Sequence, residues 1–182
     1  MPEAQPSFRR SREDDVDAVY AVIEQARARI ASLGIDQWQS GSPSREAVAG
    51  DVARGEGYVM ERDGEIVATA MLTSSGERTY DRIEGDGWIS SSTSDDPAYL
   101  TVHRFAVSDK ACGKGCAKAM LRHAEELARD AGMDSVRVDT HEGNAPMRGL
   151  LSRCGYAECG TILLDVDYDE PTLERIGYEK LV

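Results

Sequence analysis

Apolar residues along this chain recur with two different periods, and the changes of period mark its elements. Val16, Val19, Tyr20, Ile23 and Ile30 fall at helical spacing and predict an amphipathic helix. Ser11 stands as its N-cap with Asp14 three residues on, and Gly34 as its stop. Glu13, Asp14, Asp15 and Asp17 crowd the first turns, where a helix dipole favours acids. A short strand, Ser7 to Arg10, precedes it, and Pro43 and Ser44 open a second helix through Arg54. Tyr58 to Arg62 and Glu65 to Leu72 are β-rich runs joined by Asp63-Gly64, which predicts an antiparallel hairpin. Ser74 to Pro97 has no period and is rich in Ser, Asp, Gly and Thr. A stretch this long reads as a flap beside a substrate site.

The segment Tyr99 to Arg122 organises the rest. Tyr99 to Val107 is a buried strand by composition, and strict alternation puts Tyr99, Thr101, His103 and Phe105 on one face. Gly113 and Gly115 allow a sharp turn. Ala117, Met120, Leu121, Ala124, Leu127, Ala128 and Ala131 then keep helical spacing up to Gly132. Ser135 to Asp139 is a further strand, and Asn144 caps a helix with Met147, Leu150, Leu151 and Cys154 on its buried face and Gly155 as its end. Tyr156 to Leu164 and Arg175 to Leu181 are two last strands, linked by the acidic loop Asp165 to Pro171. Hairpins at both ends of a strand-helix-strand unit predict the α/β class, with a mixed, mostly antiparallel central sheet flanked by helices in a single domain, residues 1–182.

Charge narrows the partners. A formal net charge of −12 over 182 residues repels nucleic acid and anionic membrane and attracts cations. No apolar run reaches the roughly 18 residues of a membrane span, and the N-terminus has no apolar signal core, so a cytoplasmic location is expected. Cys112 and Cys116, and Cys154 and Cys159, lack zinc-site spacing, and no metal is expected. Cys154 and Cys159 read as small buried thiols, while Cys112 and Cys116 flank a helix start and the candidate anion site beside it.

Against this acidic background Lys110, Lys114, Lys118 and Arg122 stand together with no acid between them, the last three on one helix face. A helix starting from a glycine loop, with cations around it, is a phosphate site. The loop is no nucleoside-triphosphate loop, because Cys116 and Ala117 come after Gly115 where Lys and Ser or Thr are required. It is no dinucleotide fingerprint either, because Lys118 occupies the third small position. Cys112-Gly113-Lys114-Gly115-Cys116-Ala117 resembles the pyrophosphate loop of the GCN5-related N-acetyltransferases (GNAT), with Cys112 where that family usually has Arg or Gln. Asn144 through Gly155-Tyr156 resembles the family's second cofactor segment.

The resemblance implies a sheet splayed beside the central strand and acetyl-CoA (coenzyme A) as cofactor. Phe105, Ala106 and Val107 would supply backbone bonds to its extended arm. Cys112, Gly113, Lys114, Gly115, Cys116, Ala117 and Lys118 would hold the pyrophosphate, and Asn144 would contact the cofactor further along. The implied reaction is N-acetyl transfer to a primary amine of a small molecule or peptide, by direct attack in a ternary complex. His103 is the candidate base that takes the amine's proton; His123 and His141 are weaker ones. The family's usual acid, a tyrosine seven residues after the asparagine, is replaced by Leu151. Gln37, Trp38, Tyr80 and Trp88 are candidates to line the acceptor pocket. The alternative is a non-catalytic or regulatory CoA-binding module of the same fold. The sequence leaves a homodimer open.

Overall fold

In the computed structural model, which describes residues 6–165 and 170–182, the chain alternates strands and helices as the periodicities predict. The strands are β1 (Ser7–Arg10), β2 (Gly57–Arg62), β3 (Glu65–Thr73), β4 (Ile83–Glu84), β5 (Tyr99–Val107), β6 (Ser135–Thr140), β7 (Ala157–Leu163) and β8 (Glu174–Leu181). The helices are α1 (Val16–Ser32), α2 (Arg45–Ala53), α3 (Cys116–Asp130) and α4 (Ala145–Arg153). All eight strands form one sheet in the order β1-β2-β3-β5-β6-β8-β7-β4. Only β5 and β6 run parallel; the other neighbours are antiparallel. The β2–β3 turn has positive φ at both Asp63 and Gly64, the conformation that twists with the strands. Most of the acidic 165–171 loop lies outside the described residues, as does the start of the N-terminus.

Helix α3 covers one face of the sheet. Its apolar stripe, Met120, Leu121, Ala124 and Ala128, is fully buried against Ala68, Leu100, Val102 and Val136. Each large side chain there contributes about 1.5–3 kcal/mol through burial. Helices α1 and α2 cover the other face with Val16, Val19, Ile23, Ala26 and Val48 against Val59 and Ala106. A third cluster, Tyr80, Tyr99, Ile162 and Leu164 with Trp88 packed on it, sits towards the β7–β4 edge.

Three expectations are corrected. Ser11 is not a helix cap. Its N–H bonds the Gly57 carbonyl at 2.8 Å, so it prolongs the β1–β2 ladder, and its buried hydroxyl has no partner. The turn Glu13–Asp15 leads into α1 instead, with Arg12 N–H donating to Asp15 Oδ2 at 2.7 Å. Strict alternation along β5 also fails. The pairs Thr69↔Ala106 and Met71↔His103 leave one extra residue on β5, and Arg104 takes φ 49° there. This is a bulge, and it reverses the facing of the strand residues beyond it. Phe105 and Val107 therefore join Leu100 and Val102 on the α3 face, while His103 stays with Tyr99 and Tyr80. On α4, only Leu151 is fully buried; Met147 and Leu150 border an open groove.

The Ser74–Pro97 stretch is fastened rather than loose. β4 pairs with β7, and Arg137 of β6 acts as a rivet beneath the segment. Its guanidinium bonds Glu179 Oε1 at 3.0 Å and the carbonyls of Ser92 and Ser90 at 3.1 and 3.0 Å. It also stacks between Tyr99 and Trp88, 4.0 and 4.5 Å from their ring centres. Burial alone would raise the Glu179 carboxyl's pKa, but the Ser135, Ser90 and Arg137 contacts hold it below its ordinary value. The pair is about 1% and 0% exposed.

Candidate active site

The sheet opens because β5 and β6 pair only from Tyr99↔Ser135 to Val102↔Val138. Beyond Val102 the bulge turns β5 away, and the strand ends diverge. A left-handed arginine costs about 1–3 kcal/mol. Arg104 is held in it by a bidentate pair with the buried Asp51 of α2, at 2.6 and 2.5 Å.

At one end of the opening lies the glycine loop. Gly113 and Gly115 have φ 74° and 79°, and a Cβ on either would meet nothing within 4 Å. A side chain there would fill empty space in front of the loop. The Cys112 and Lys114 amides close the turn on Ser108 and Ala111 at 3.1 and 3.2 Å. Those of Gly113, Gly115, Cys116, Ala117 and Lys118 make no such bond and face outward at the start of α3. These donors, with the helix dipole behind them, fit a diphosphate. A mostly apolar groove of about 630 Å³ runs from this loop past Phe105, Ala106 and Val107, with Met147 and Leu150 of α4 also bordering it. Its size and lining suit an extended, largely apolar arm.

At the other end is His103. Its Nε2 lies 3.1 Å from Glu77 Oε2 and its Nδ1 lies 3.9 Å from Asp139 Oδ2. Asp139 Oδ2 also accepts the Tyr80 hydroxyl proton at 2.7 Å. Burial would raise the Glu77 carboxyl, but the hydrogen bond and charge of His103, aided by Thr79, overcome it and lower its pKa from 4.5 to about 2. The neutral tautomer that donates Nε2–H to Glu77 has its lone pair on Nδ1. A depressed carboxyl stabilises the fold above its unfolded pKa and loses that contribution as pH falls through the folded one. Stability should thus drop between about pH 4.5 and 2, by up to roughly 3 kcal/mol from this group. Urea unfolding across that range should be flatter for Glu77→Gln than for the wild-type chain.

His103 borders a cavity of about 120 Å³ that also touches Trp38, Asp139, Glu170 and Arg175. Ile30, Phe105, Asn144 and Met147 border both this cavity and the groove. The two therefore adjoin, and an arm laid from the glycine loop ends beside the imidazole.

Among the residues expected from sequence to bind cofactor, all but Lys114 border the groove. Lys110 is exposed and paired with Glu65 at 2.9 Å. Asn144 caps α4 by accepting from Met147 N–H at 3.2 Å, and it donates to Gln37 Oε1 at 3.1 Å. Gln37 and Trp38 border the His103 cavity. Tyr80 is buried behind the cavity, its hydroxyl on Asp139 and its ring 6.2 Å from that of His103, and Trp88 packs on Arg137 and donates to the Tyr80 carbonyl at 2.6 Å. His123 stacks on Phe8 at 4.5 Å, and His141 lies 3.6 Å from Asp36. Leu151, at the acid position, is fully buried in the main core, as Tyr156 nearly is. Cys112 is exposed, but Cys116 is sealed beneath the helix start. Sequence reading missed Glu77 and Asp139, which flank the imidazole, and Arg29 and Arg153, which border the groove. Glu77 sits in a stretch without period, and Arg29 looks like any polar position of α1.

The chain was compared with known proteins. The model of the acetyltransferase (GNAT) family matches residues 24–156. A GNAT-family acetyltransferase structure from Streptococcus agalactiae is 32% identical, with a TM-score of 0.84 over 97% of this chain and 95% of that one. An uncharacterized N-acetyltransferase of Bacillus subtilis, YesJ, is 21% identical over 81% of this chain and 79% of its own length. PaiA N-acetyltransferase from Thermoplasma acidophilum, solved in complex with coenzyme A, shares the fold: it is 14% identical, with a TM-score of 0.66 over 98% of this chain and all of that one. No helix of the described residues is long and apolar enough to cross a membrane.

Proposed function

Since the chain belongs to the acetyltransferase (GNAT) family, we propose that it transfers the acetyl group of acetyl-CoA to a primary amine by direct attack, as one domain acting in the cytoplasm. One observation carries the reading: the phosphate-fitting loop and the imidazole border two adjoining cavities, which share Ile30, Phe105, Asn144 and Met147 as lining. The free amides of Gly113, Gly115, Cys116, Ala117 and Lys118 hold the pyrophosphate, aided by the side chains of Lys118 and Arg153. Phe105 and Ala106 offer the main chain of the strand edge that β6 leaves unpaired to the arm, while the Val107 carbonyl beside them already accepts from Arg29. Acetyl-CoA supplies the acetyl group as an activated thioester.

An aliphatic amine with pKa near ~10.4 arrives protonated. His103 Nδ1 takes that proton, and Glu77 steadies the resulting imidazolium through Nε2. The neutral amine then forms the new C–N bond as the C–S bond breaks. The thiolate departs without a tyrosine acid, which a leaving group of pKa near ~8.5 tolerates, and the second proton shed by the new amide nitrogen passes through solvent to that thiolate. Gln37 and Trp38 border the space where the acceptor approaches. The separation of Tyr80 and Trp88 from that space leaves them a supporting role.

The test is thiol release from acetyl-CoA across an amine panel, alongside thermal shift. Acetyl-CoA at 100 times its Kd should stabilise the protein by about 2.7 kcal/mol. Gly115→Glu, which puts a carboxylate into the empty space before the loop, should remove that shift. A wild-type chain that neither shifts nor releases thiol would sink the proposal; one that shifts with no amine turned over would favour a CoA-binding module without chemistry.

A further inference from the structure

The cavity beside His103 holds charges from both strands of the opening, and among the described residues all but one are matched. Arg104 is spent on Asp51 through two bonds. Arg175 pairs with Glu170 at 3.4 Å and donates to the Thr172 and Glu174 carbonyls. Glu77 faces His103 Nε2. Asp139 has only the neutral Tyr80 hydroxyl at 2.7 Å and the far imidazole nitrogen at 3.9 Å. Whether His103 is charged or not, the count leaves at least one surplus negative charge. If the ring is protonated, Glu77 offsets it; if it is neutral, Glu77 adds a second.

A carboxylate only 12% exposed at its side chain and facing a small cavity calls for a cation. From this geometry we infer that Asp139, held in place by Tyr80, is the seat of the acceptor's ammonium group. This deepens the acetyl-transfer reading and rests on it. The site takes a primary alkylamine with no carboxylate beside the nitrogen. At about 120 Å³, the cavity has room for a cationic head and a short alkyl stem. A carboxylate on the next carbon would meet Asp139 with no free cation among the described residues to answer it, since Arg175 is consumed by its own loop. Bound there, the nitrogen lies between Asp139 and the imidazole Nδ1. Asp139 binds the charged form, and His103 removes the proton.

Calorimetry with coenzyme A present separates this from a merely structural role. Propylguanidinium and propylurea have nearly the same shape, but only the first is charged, and neither needs turnover to be measured. The cation should bind at least about tenfold more tightly to the wild-type protein. Asp139→Asn should bring the ratio close to one while leaving affinity for coenzyme A unchanged. Equal affinities in the wild-type protein, or a ratio that survives Asp139→Asn, would overturn the assignment. If the Asn variant does not fold by circular dichroism, Asp139→Ser replaces it, and the wild-type ratio still decides. Failure of acetyl transfer itself would show separately, as a silent amine panel.

Discussion

Arg137→Ala should destabilise the protein by about 3 kcal/mol, because it leaves the buried Glu179 carboxylate without its cation, held only by Ser90, Ser135 and the Ile89 amide. At roughly 2–4 °C per kcal/mol for a domain of this size, the melting temperature falls by about 10 °C. Two further results distinguish loss of the ion pair from loss of packing. The double variant Arg137→Met, Glu179→Leu should cost much less than Arg137→Ala, since an apolar pair leaves no buried charge behind. Limited proteolysis should also begin between Ser90 and Ser92, whose carbonyls lose their donors. If Arg137→Ala melts within about 2 °C of the wild type, the rivet is not what holds this segment down.

His103→Ala should lower kcat by about 10²- to 10⁴-fold, the usual value of a placed general base. The acetyl-CoA thermal shift should persist, because the glycine loop and the groove are untouched. The pH profile carries the stronger test. Without an internal base, the rate tracks the free amine in solution, rising about tenfold per pH unit below the amine's pKa of ~10.4. A variant with an unchanged rate removes His103 from the chemistry. Loss of rate with no change in pH profile assigns it to packing.

The sheet and its helices were legible because burial imposes period. The α3 stripe, the Asp63-Gly64 turn and the cap at Asn144 each arise from local chemistry that tertiary packing did not override. The glycine loop was legible for the same reason, since positive φ and open space require glycine. The features that escaped are made by long-range partners. The bulge at Arg104 depends on Asp51, more than fifty positions away in sequence. The order of Ser74–Pro97 depends on Arg137 and Glu179, which look from sequence like ordinary polar residues of two strands. Glu77 and Asp139 were invisible for this reason too, since neither acquires a role until the segment is folded over His103.

The extra residue in β5 also sets how fragile the site is in descent. Removal of the single codon for Arg104 would restore even alternation, let β5 zip onto β6 beyond Val102, and erase the cleft with the scaffold left standing. Such a relative would keep the motif that names the family and yet acetylate nothing. An insertion or deletion in this strand would therefore strike the cleft as directly as a substitution in the glycine loop strikes the cofactor.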